Sequence, residues 1–218
     1  MKKVVALVPI KLNSQRVKNK NKLPLGRHPL CWHICNTLNN VSDIDEVFVY
    51  CSDEEVVDYI PGGKTKFLRR PKELDKDCVK GADIYKSFID TIDADVYVLA
   101  HTTSPFIKSE SIQDALEHVL SGRNDSSFSA KKIQTFAWYK GQPINYCLND
   151  VPRTQDIEPI FVETSGFFIF EKSVFTKHNR RIGFSPFVKE VDDIESIDID
   201  EPSDYEFACT IMKTMEED

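Results

Sequence analysis

A short loop near the start of the chain concentrates positive charge directly after an apolar run. The run covers residues 4–10, and the loop over residues 11–22 carries five cationic side chains: Lys11, Arg16, Lys18, Lys20 and Lys22. In α/β proteins, the loop at the carboxyl end of the first strand commonly binds phosphates. Cations and backbone N–H groups at that place can hold a polyphosphate. The sequence therefore favours a nucleotide site here, although a solvated basic loop would give the same pattern.

Two aspartates in the segment Ser196-Ile-Asp-Ile-Asp have the spacing of metal ligands. If residues 196–199 form a strand, alternation places Asp198 and Asp200 on the same face. Two carboxylates so placed suit one Mg²⁺, which prefers oxygen ligands and nucleotide phosphates. The alternative is an exposed edge strand with two solvated aspartates.

Other polar side chains follow predicted strands or lie in irregular sequence. The segment His101-Thr-Thr-Ser-Pro follows a predicted strand, so His101 lies where it can hydrogen-bond a base or a sugar. Arg70-Pro71 follows a shorter strand, and Arg153 lies in polar sequence with several prolines. Each arginine can bind a carboxylate or phosphate through two N–H groups, or can be a surface residue.

Alternating apolar runs and helical patterns would position these residues. In the first half, strands are predicted at residues 4–8, 46–51, 66–68 and 95–100, and helices at 29–38, 53–59, 82–92 and 109–120, the last with a serine cap. This βαβα order predicts a mostly parallel sheet with helices on both faces.

The second half of the chain is less regular. Strands are predicted at residues 126–130, 136–140, 166–170, 187–189 and 196–199, a loop or excursion at 141–155, and a helix at 202–215 with Pro202 in its first turn. Since no repeat or low-complexity linker interrupts the pattern, we expect residues 1–218 to form a single domain.

Composition limits the class of protein. The 28 basic and 35 acidic side chains give a net charge of -7, which argues against a nucleic-acid-binding domain, because such domains are normally basic. No run approaches the roughly 20 apolar residues of a membrane helix, and the opening stretch is a poor signal peptide. The six cysteines form no Cys-x-x-Cys pair. We therefore expect reduced thiols and a cytoplasmic location.

Taken in order, these pieces resemble the CMP-sugar synthetases, the cytidylyltransferase family that includes acylneuraminate cytidylyltransferase and the CMP-Kdo synthetases. The likeness is closer to the acylneuraminate branch. The family opens with Pro-Ala-Arg-x-Gly-Ser-Lys-Arg-x-Pro-x-Lys-Asn, and the loop matches it at Pro9, Ser14, Arg16, Lys20 and Asn21.

Further matches run through nearly the whole chain in the family's order. They are Ser52-Asp53, Arg70-Pro71, Thr103-Ser-Pro105, Arg153-Thr-Gln155-Asp156, Gly166, and Ile197-Asp-Ile-Asp-Glu-Pro202 with Asp204. No single motif is decisive, but their shared order and spacing are specific.

The resemblance implies an enzyme with a Rossmann-like, three-layer α/β fold and a small dimerisation extension. A 2-keto-3-deoxy sugar acid, such as a sialic acid-like nonulosonic acid, would attack the α-phosphate of CTP through its anomeric hydroxyl. A CMP-sugar would form and pyrophosphate would leave. Catalytic roles would fall to Arg16, Lys20 and Asp200, and Asp198 and Asp200 would hold Mg²⁺.

The resemblance also divides the other site residues between the two substrates. The nucleotide would be bound by Lys11, Asn13, Ser14, Arg16, Asn21 and Arg70, and the sugar acid by His101, Thr103, Ser104, Arg153, Gln155 and Ser165. A homodimer is implied, with an arm at about residues 131–163. Aromatic side chains at 136–139 would be interface anchors there, or ordinary core.

Four positions depart from the family's pattern. Lys11 stands for an arginine and lacks its bidentate fork, and Asn13 stands for a glycine, although Asn tolerates left-handed backbone. His101 stands for a glutamine and Ser165 for an asparagine, both in the sugar half of the site. These last two changes favour an acceptor other than N-acetylneuraminate.

Two other functions remain open at this point. One is a nucleotidyltransferase of the same fold that acts on Kdo, a sugar phosphate or an alcohol phosphate. The other is a nucleotide-binding protein without catalysis. Fold alone does not decide among them.

Overall fold

A computed structural model describes residues 2–14 and 16–217, so Gln15 of the predicted phosphate loop lies outside the described residues. The described residues form a seven-stranded sheet: β1 (Val4–Pro9), β2 (Glu46–Cys51), β3 (Thr65–Arg69), β4 (Val96–Ala100), β5 (Ser126–Ile133), β6 (Ile160–Glu171) and β7 (Pro186–Val191). Their order is β7-β5-β6-β4-β1-β2-β3. Strand β6 is antiparallel to β4 and β5, and the other pairings are parallel. The predicted α/β class with a mostly parallel sheet is therefore confirmed.

Helices cover both faces of this sheet. They are α1 (Leu30–Asn39), α2 (Gly81–Thr91), α3 (Ser109–Leu120), α4 (Lys172–His178) and α5 (Pro202–Glu217). Side chains of α1 and α3 pack with Ala6 and Val8 of β1, whereas side chains of α2 and α4 pack with Val5 and Leu7. Because β1 is buried on both faces, its sequence is apolar without alternation.

No helix in the described ranges 2–14 and 16–217 is long and apolar enough to cross a membrane.

The predicted strand at residues 196–199 is wrong. Asp192 accepts a hydrogen bond from the Glu195 N–H at 2.8 Å, and its carbonyl accepts one from the Ser196 N–H at 2.9 Å. These bonds begin a turn, and the chain stays irregular to residue 200. Asp198 and Asp200 therefore lie in irregular backbone, and loop geometry rather than strand alternation sets their positions.

Other boundaries also differ from the predictions. The strand at 136–140 shrinks to Trp138–Tyr139, paired with Gln142–Pro143, because Lys140 and Gly141 form a turn with positive φ. Helix α3 has no serine cap, since Ser109 is already helical and the preceding Lys108 N–H donates to Glu195 at 3.0 Å. The strand predicted at 166–170 begins six residues earlier, at the start of β6.

Strand β6 carries a bulge opposite Ser129. The register with β5 shifts between Glu163 and Phe168, and the Ser129 hydroxyl accepts hydrogen bonds there from Thr164 Oγ1 at 2.7 Å and the Phe167 N–H at 3.1 Å. A Cβ on Gly166 would lie 2.5 Å from Ile107 Cδ1 and 2.9 Å from the Ser129 hydroxyl, so a larger residue would require these buried side chains to shift. The bulge bends the strand and redirects Ser165, the residue before Gly166.

Candidate active site

Arg70 connects the carboxyl ends of β1 and β2. Its side chain is only 2% exposed. Nη2 donates to the Ile10 carbonyl at 3.0 Å and to Asp75 at 2.7 Å, and Nη1 donates to the Tyr50 carbonyl at 3.4 Å. These contacts hold the ends of β1 and β2 together where the cationic loop begins. The predicted contact of Arg70 with a nucleotide stays a prediction.

Asn21 holds the two ends of the cationic loop together. Its Nδ2 donates to the Lys11 carbonyl at 2.9 Å, and its Oδ1 accepts from Thr102 Oγ1 at 2.6 Å. The loop is thereby joined to the segment that follows β4. Asn13 does not adopt the left-handed backbone that asparagine tolerates; among the described loop residues, Asn19 has positive φ, at 55°.

Asp200 lies within a small cluster of cations. Its Oδ1 accepts from Arg16 Nη2 at 2.9 Å and from Lys20 Nζ at 3.4 Å, and Lys20 Nζ also donates to the Ile199 carbonyl at 2.6 Å. The Asp200 carboxylate raises the pKa of Arg16. Asp204 accepts the Asp200 N–H at 3.0 Å, which fixes Asp200 at the start of α5. The structure thus brings together the three residues predicted to be catalytic.

Asp198, two residues before Asp200, lies next to the bulge of β6. Its Oδ2 accepts from the Ser165 hydroxyl at 2.8 Å. Its Oδ1 is buried and has no hydrogen-bond partner among the described residues. A buried carboxylate oxygen without a donor is costly, so a cation bound there would offset that cost.

His101 is tied to the same bulge. Its Nδ1 lies 2.7 Å from the Ser165 carbonyl oxygen. Because a carbonyl only accepts, Nδ1 carries the proton, and in the neutral ring Nε2 is an acceptor. Burial lowers the pKa of His101, which favours that neutral ring.

The segment after β4 reaches the aspartates through its backbone. The Thr103 carbonyl accepts the Ile199 N–H at 2.8 Å. Ser104 is 1% exposed, and its hydroxyl has no partner among the described residues. Arg153 and Gln155 lie elsewhere, in an exposed 3₁₀ turn where Arg153 pairs with Asp156 at 2.7 Å.

Two clefts border the cationic loop. One, of about 440 Å³, is lined by Lys11, Asn13, Ser52 and Arg69 among others. The other, of about 500 Å³, is lined by Lys11, Asn13, Ser14, Lys18 and Lys76 among others. A larger cavity of about 640 Å³ lies at the opposite end of the sheet, against Lys2 and Asp45, and none of the predicted site residues lines it.

Sequence reasoning missed Arg181, in the loop between α4 and β7. Its guanidinium carbon lies 3.7 Å from the centre of the Phe168 ring, and the His101 ring lies 6.2 Å from that same ring. An arginine in a loop without a motif gives no signal in one sequence, because its position depends on how β6 and α4 pack.

Comparison with known proteins provides independent information. The model of the family described as Cytidylyltransferase matches residues 5–216. N-acylneuraminate cytidylyltransferase of Streptococcus agalactiae serotype III is 26% identical over 215 residues, which cover 93% of this chain and 52% of that protein. CMP-N,N'-diacetyllegionaminic acid synthase of Legionella pneumophila is 24% identical, with 99% and 98% covered. The chain thus spans about half the length of the streptococcal protein and nearly all of the other.

Solved structures show the same fold. A CMP:2-keto-3-deoxy-manno-octonic acid synthetase complexed with CTP superposes with a TM-score of 0.74 at 18% identity, covering 98% of this chain and 99% of its own. A 4-diphosphocytidyl-2C-methyl-D-erythritol synthase from Anaerococcus prevotii has a TM-score of 0.66 at 11% identity, with 97% and 96% covered. At these identities the likeness supports the fold and not the acceptor.

Proposed function

This chain belongs to the cytidylyltransferase family, and we propose that it transfers CMP from CTP to the anomeric hydroxyl of a 2-keto-3-deoxy sugar acid of the nonulosonic class, releasing pyrophosphate. One observation carries the proposal. The unpartnered Asp198 Oδ1 lies beside a turn whose other aspartate, Asp200, is held by Arg16 and Lys20. A metal-bound triphosphate needs an arrangement of this kind.

The residues present fit Mg²⁺. No cluster of three or more His, Cys, Asp or Glu side chains able to hold a metal occurs in the described part of the chain. Mg²⁺ is commonly held by one or two carboxylates together with substrate phosphates and water, so Asp198 and Asp200 suffice as protein ligands. When bound, Mg²⁺ would neutralise phosphate charge and polarise the α-phosphate for attack.

The remaining work falls to the cations of the loop. In the free protein, Arg16 and Lys20 both contact Asp200. When a triphosphate binds, they would turn from that carboxylate to phosphate oxygens. Lys20 is nearly buried and fixed by the Ile199 carbonyl, so it is well placed to offset the charge that grows on departing pyrophosphate.

The acceptor is proposed to differ from N-acetylneuraminate. The family's glutamine offers both an N–H donor and a carbonyl acceptor, whereas neutral His101 offers only the Nε2 acceptor once Nδ1 is used by Ser165. The site therefore suits a sugar acid that donates an N–H or O–H hydrogen bond to His101 Nε2. The Legionella relative, named for a diacetylated nonulosonic acid, makes that class a reasonable first choice.

The function is tested by measuring pyrophosphate release with CTP, Mg²⁺ and a panel of acceptors. The panel holds N-acetylneuraminate, N,N'-diacetyllegionaminate and Kdo, with a sugar phosphate and an alcohol phosphate beside them. We expect release with a nonulosonic acid and a lower KM for one other than N-acetylneuraminate. Release only with a phosphate acceptor, or CTP binding without any release, would overturn the proposal.

We also propose a homodimer formed through the arm at residues 131–163. Large apolar side chains are exposed there, and a dimer interface would bury them: Trp138, Tyr139, Ile144, Leu148, Val151, Phe161 and Val162. In such a dimer, the arm would bring Arg153 and Gln155 to the acceptor site of the partner subunit.

Sedimentation equilibrium tests the dimer. We expect twice the 25.0 kDa chain mass at micromolar concentration, and a shift to monomer in Trp138→Asp, because a charge buried in an apolar interface is costly. Phe207→Asp is the matched control, since Phe207 is an equally exposed aromatic on α5, outside the arm. A monomeric wild-type protein would refute the dimer.

A further inference from the structure

Arg181 is a cation near the candidate active site, and the reaction proposed above gives it no role. It is 38% exposed, and one face of its guanidinium covers the buried Phe168 ring at 3.7 Å. Stacking on an aromatic ring holds the guanidinium in one orientation and leaves its N–H groups at the edge, where Nη2 donates to Glu163 at 3.4 Å. Arg181 is therefore positioned by the fold and not simply solvated.

The surroundings of Arg181 favour an anion. Burial raises the pKa of Tyr85, and the nearby Arg181 guanidinium offsets only part of that rise. The Tyr85 hydroxyl lies over Gly81, since a Cβ on Gly81 would be 2.8 Å from that oxygen. Gly81 begins α2, whose N-terminus carries partial positive charge. The Tyr85 hydroxyl thus lies near both Arg181 and the N-terminus of α2.

Little of the Arg181 charge is neutralised. Its ion pair with Glu163 spans 3.4 Å between half-exposed side chains, and such pairs are weak. The contrast is Arg70, whose Nη1 and Nη2 donate to two carbonyls and Asp75 in the protein interior. His101, on the same Phe168 ring, is kept neutral mainly by burial and also by Arg181. It therefore adds no competing positive charge.

We propose that Arg181 binds the carboxylate of the acceptor sugar acid. The inference rests on the proposed function, because a 2-keto sugar acid carries its carboxylate on the carbon that bears the attacking anomeric hydroxyl. The carboxylate must then lie beside the reacting centre. A series of contacts leads there from the proposed metal ligand: Asp198 to Ser165, Ser165 to His101, His101 to Phe168, and Phe168 to Arg181.

A guanidinium matches a carboxylate better than any other side chain, since it donates two parallel hydrogen bonds. The assignment makes Arg181 a residue that selects acid acceptors over neutral sugars. Arg153 of the exposed arm then remains for other groups of the acceptor.

The test is steady-state kinetics of Arg181→Gln with the best acid of the panel. We expect KM for the acid to rise by about tenfold or more, as loss of a hydrogen bond to a charged group predicts, with KM for CTP nearly unchanged. Arg181→Lys should recover part of the loss. Arg180→Gln is the matched control, because the neighbouring Arg180 lies 4.7 Å from the Phe184 ring and donates to the Gly183 carbonyl at 3.1 Å.

An acceptor analogue with the carboxylate converted to an amide separates a direct contact from a structural effect. Wild-type enzyme should discriminate strongly against the amide, and Arg181→Gln should discriminate much less. An unchanged KM for the acid, or equal discrimination in both proteins, would overturn the assignment and leave the proposed function standing. If no sugar acid of the panel supports pyrophosphate release by the wild-type protein, the function and the assignment fail together.

Discussion

Asp198→Asn is expected to reduce pyrophosphate release by about 10²–10³-fold, the cost of removing one group that stabilises transition-state charge. Asparagine keeps the shape of the side chain and can still accept the Ser165 hydroxyl, so the bulge of β6 should survive. It removes the negative charge beside the unpartnered Oδ1. Activity should fall because the variant binds Mg²⁺ more weakly, and the residual activity should require a higher Mg²⁺ concentration.

The thermal midpoint gives a second readout for Asp198→Asn. A buried carboxylate oxygen with no donor destabilises the metal-free fold, so the midpoint without Mg²⁺ should stay the same or rise. Asp193→Asn is the matched control. Asp193 lies in the turn before Asp198, is 88% exposed and pairs with Lys131 of β5. Full activity in Asp198→Asn with an unshifted Mg²⁺ dependence would refute the metal assignment.

Arg70→Met is expected to lower the free energy of unfolding by about 3 kcal/mol, as removal of one partner from a buried ion pair predicts. Methionine fills the space, but it leaves the Ile10 and Tyr50 carbonyls and Asp75 without the donors they now have. Urea unfolding with an unchanged m-value measures the effect.

The adjacent arginine provides a sharp control for Arg70→Met. Arg69 is 59% exposed and pairs with Glu54 at 2.5 Å, and exposed pairs contribute about 0–1 kcal/mol. Arg69→Met should therefore change stability little. If the two variants lost equal stability, the interior network around Arg70 would not be what holds the ends of β1 and β2.

The sequence predicted the first half of the fold well for a physical reason. Strands buried on both faces and amphipathic helices carry strong local patterns, as in β1 and α3, and their bounds agree with the structure within about two residues. The order of motifs also brought Arg16, Lys20 and Asp200 into one hypothesis, and the structure places them in contact.

The remaining features depend on distant contacts that no local pattern contains. Residues 196–199 have strand-like alternation, yet the Asp192 carboxylate and carbonyl cap a turn that ends the sheet. The bulge at Ser165 requires Ser129 from another strand. Arg181 contacts Phe168 of β6 from the loop after α4, so the contact depends on how these two elements pack. In each case tertiary structure overrides a local signal or supplies one that was absent.

The cation cluster around Asp200 has a consequence for the speed at which nucleotide is captured. Arg16 and Lys20 are already matched by carboxylates in the free protein, and the chain as a whole is negative. Arg16 and Lys20 therefore add little long-range attraction for an approaching polyanion, because neighbouring carboxylates offset their charges. Their contribution to the association rate should be small and nearly insensitive to ionic strength, since these two side chains contact phosphate only after local ion pairs have been exchanged.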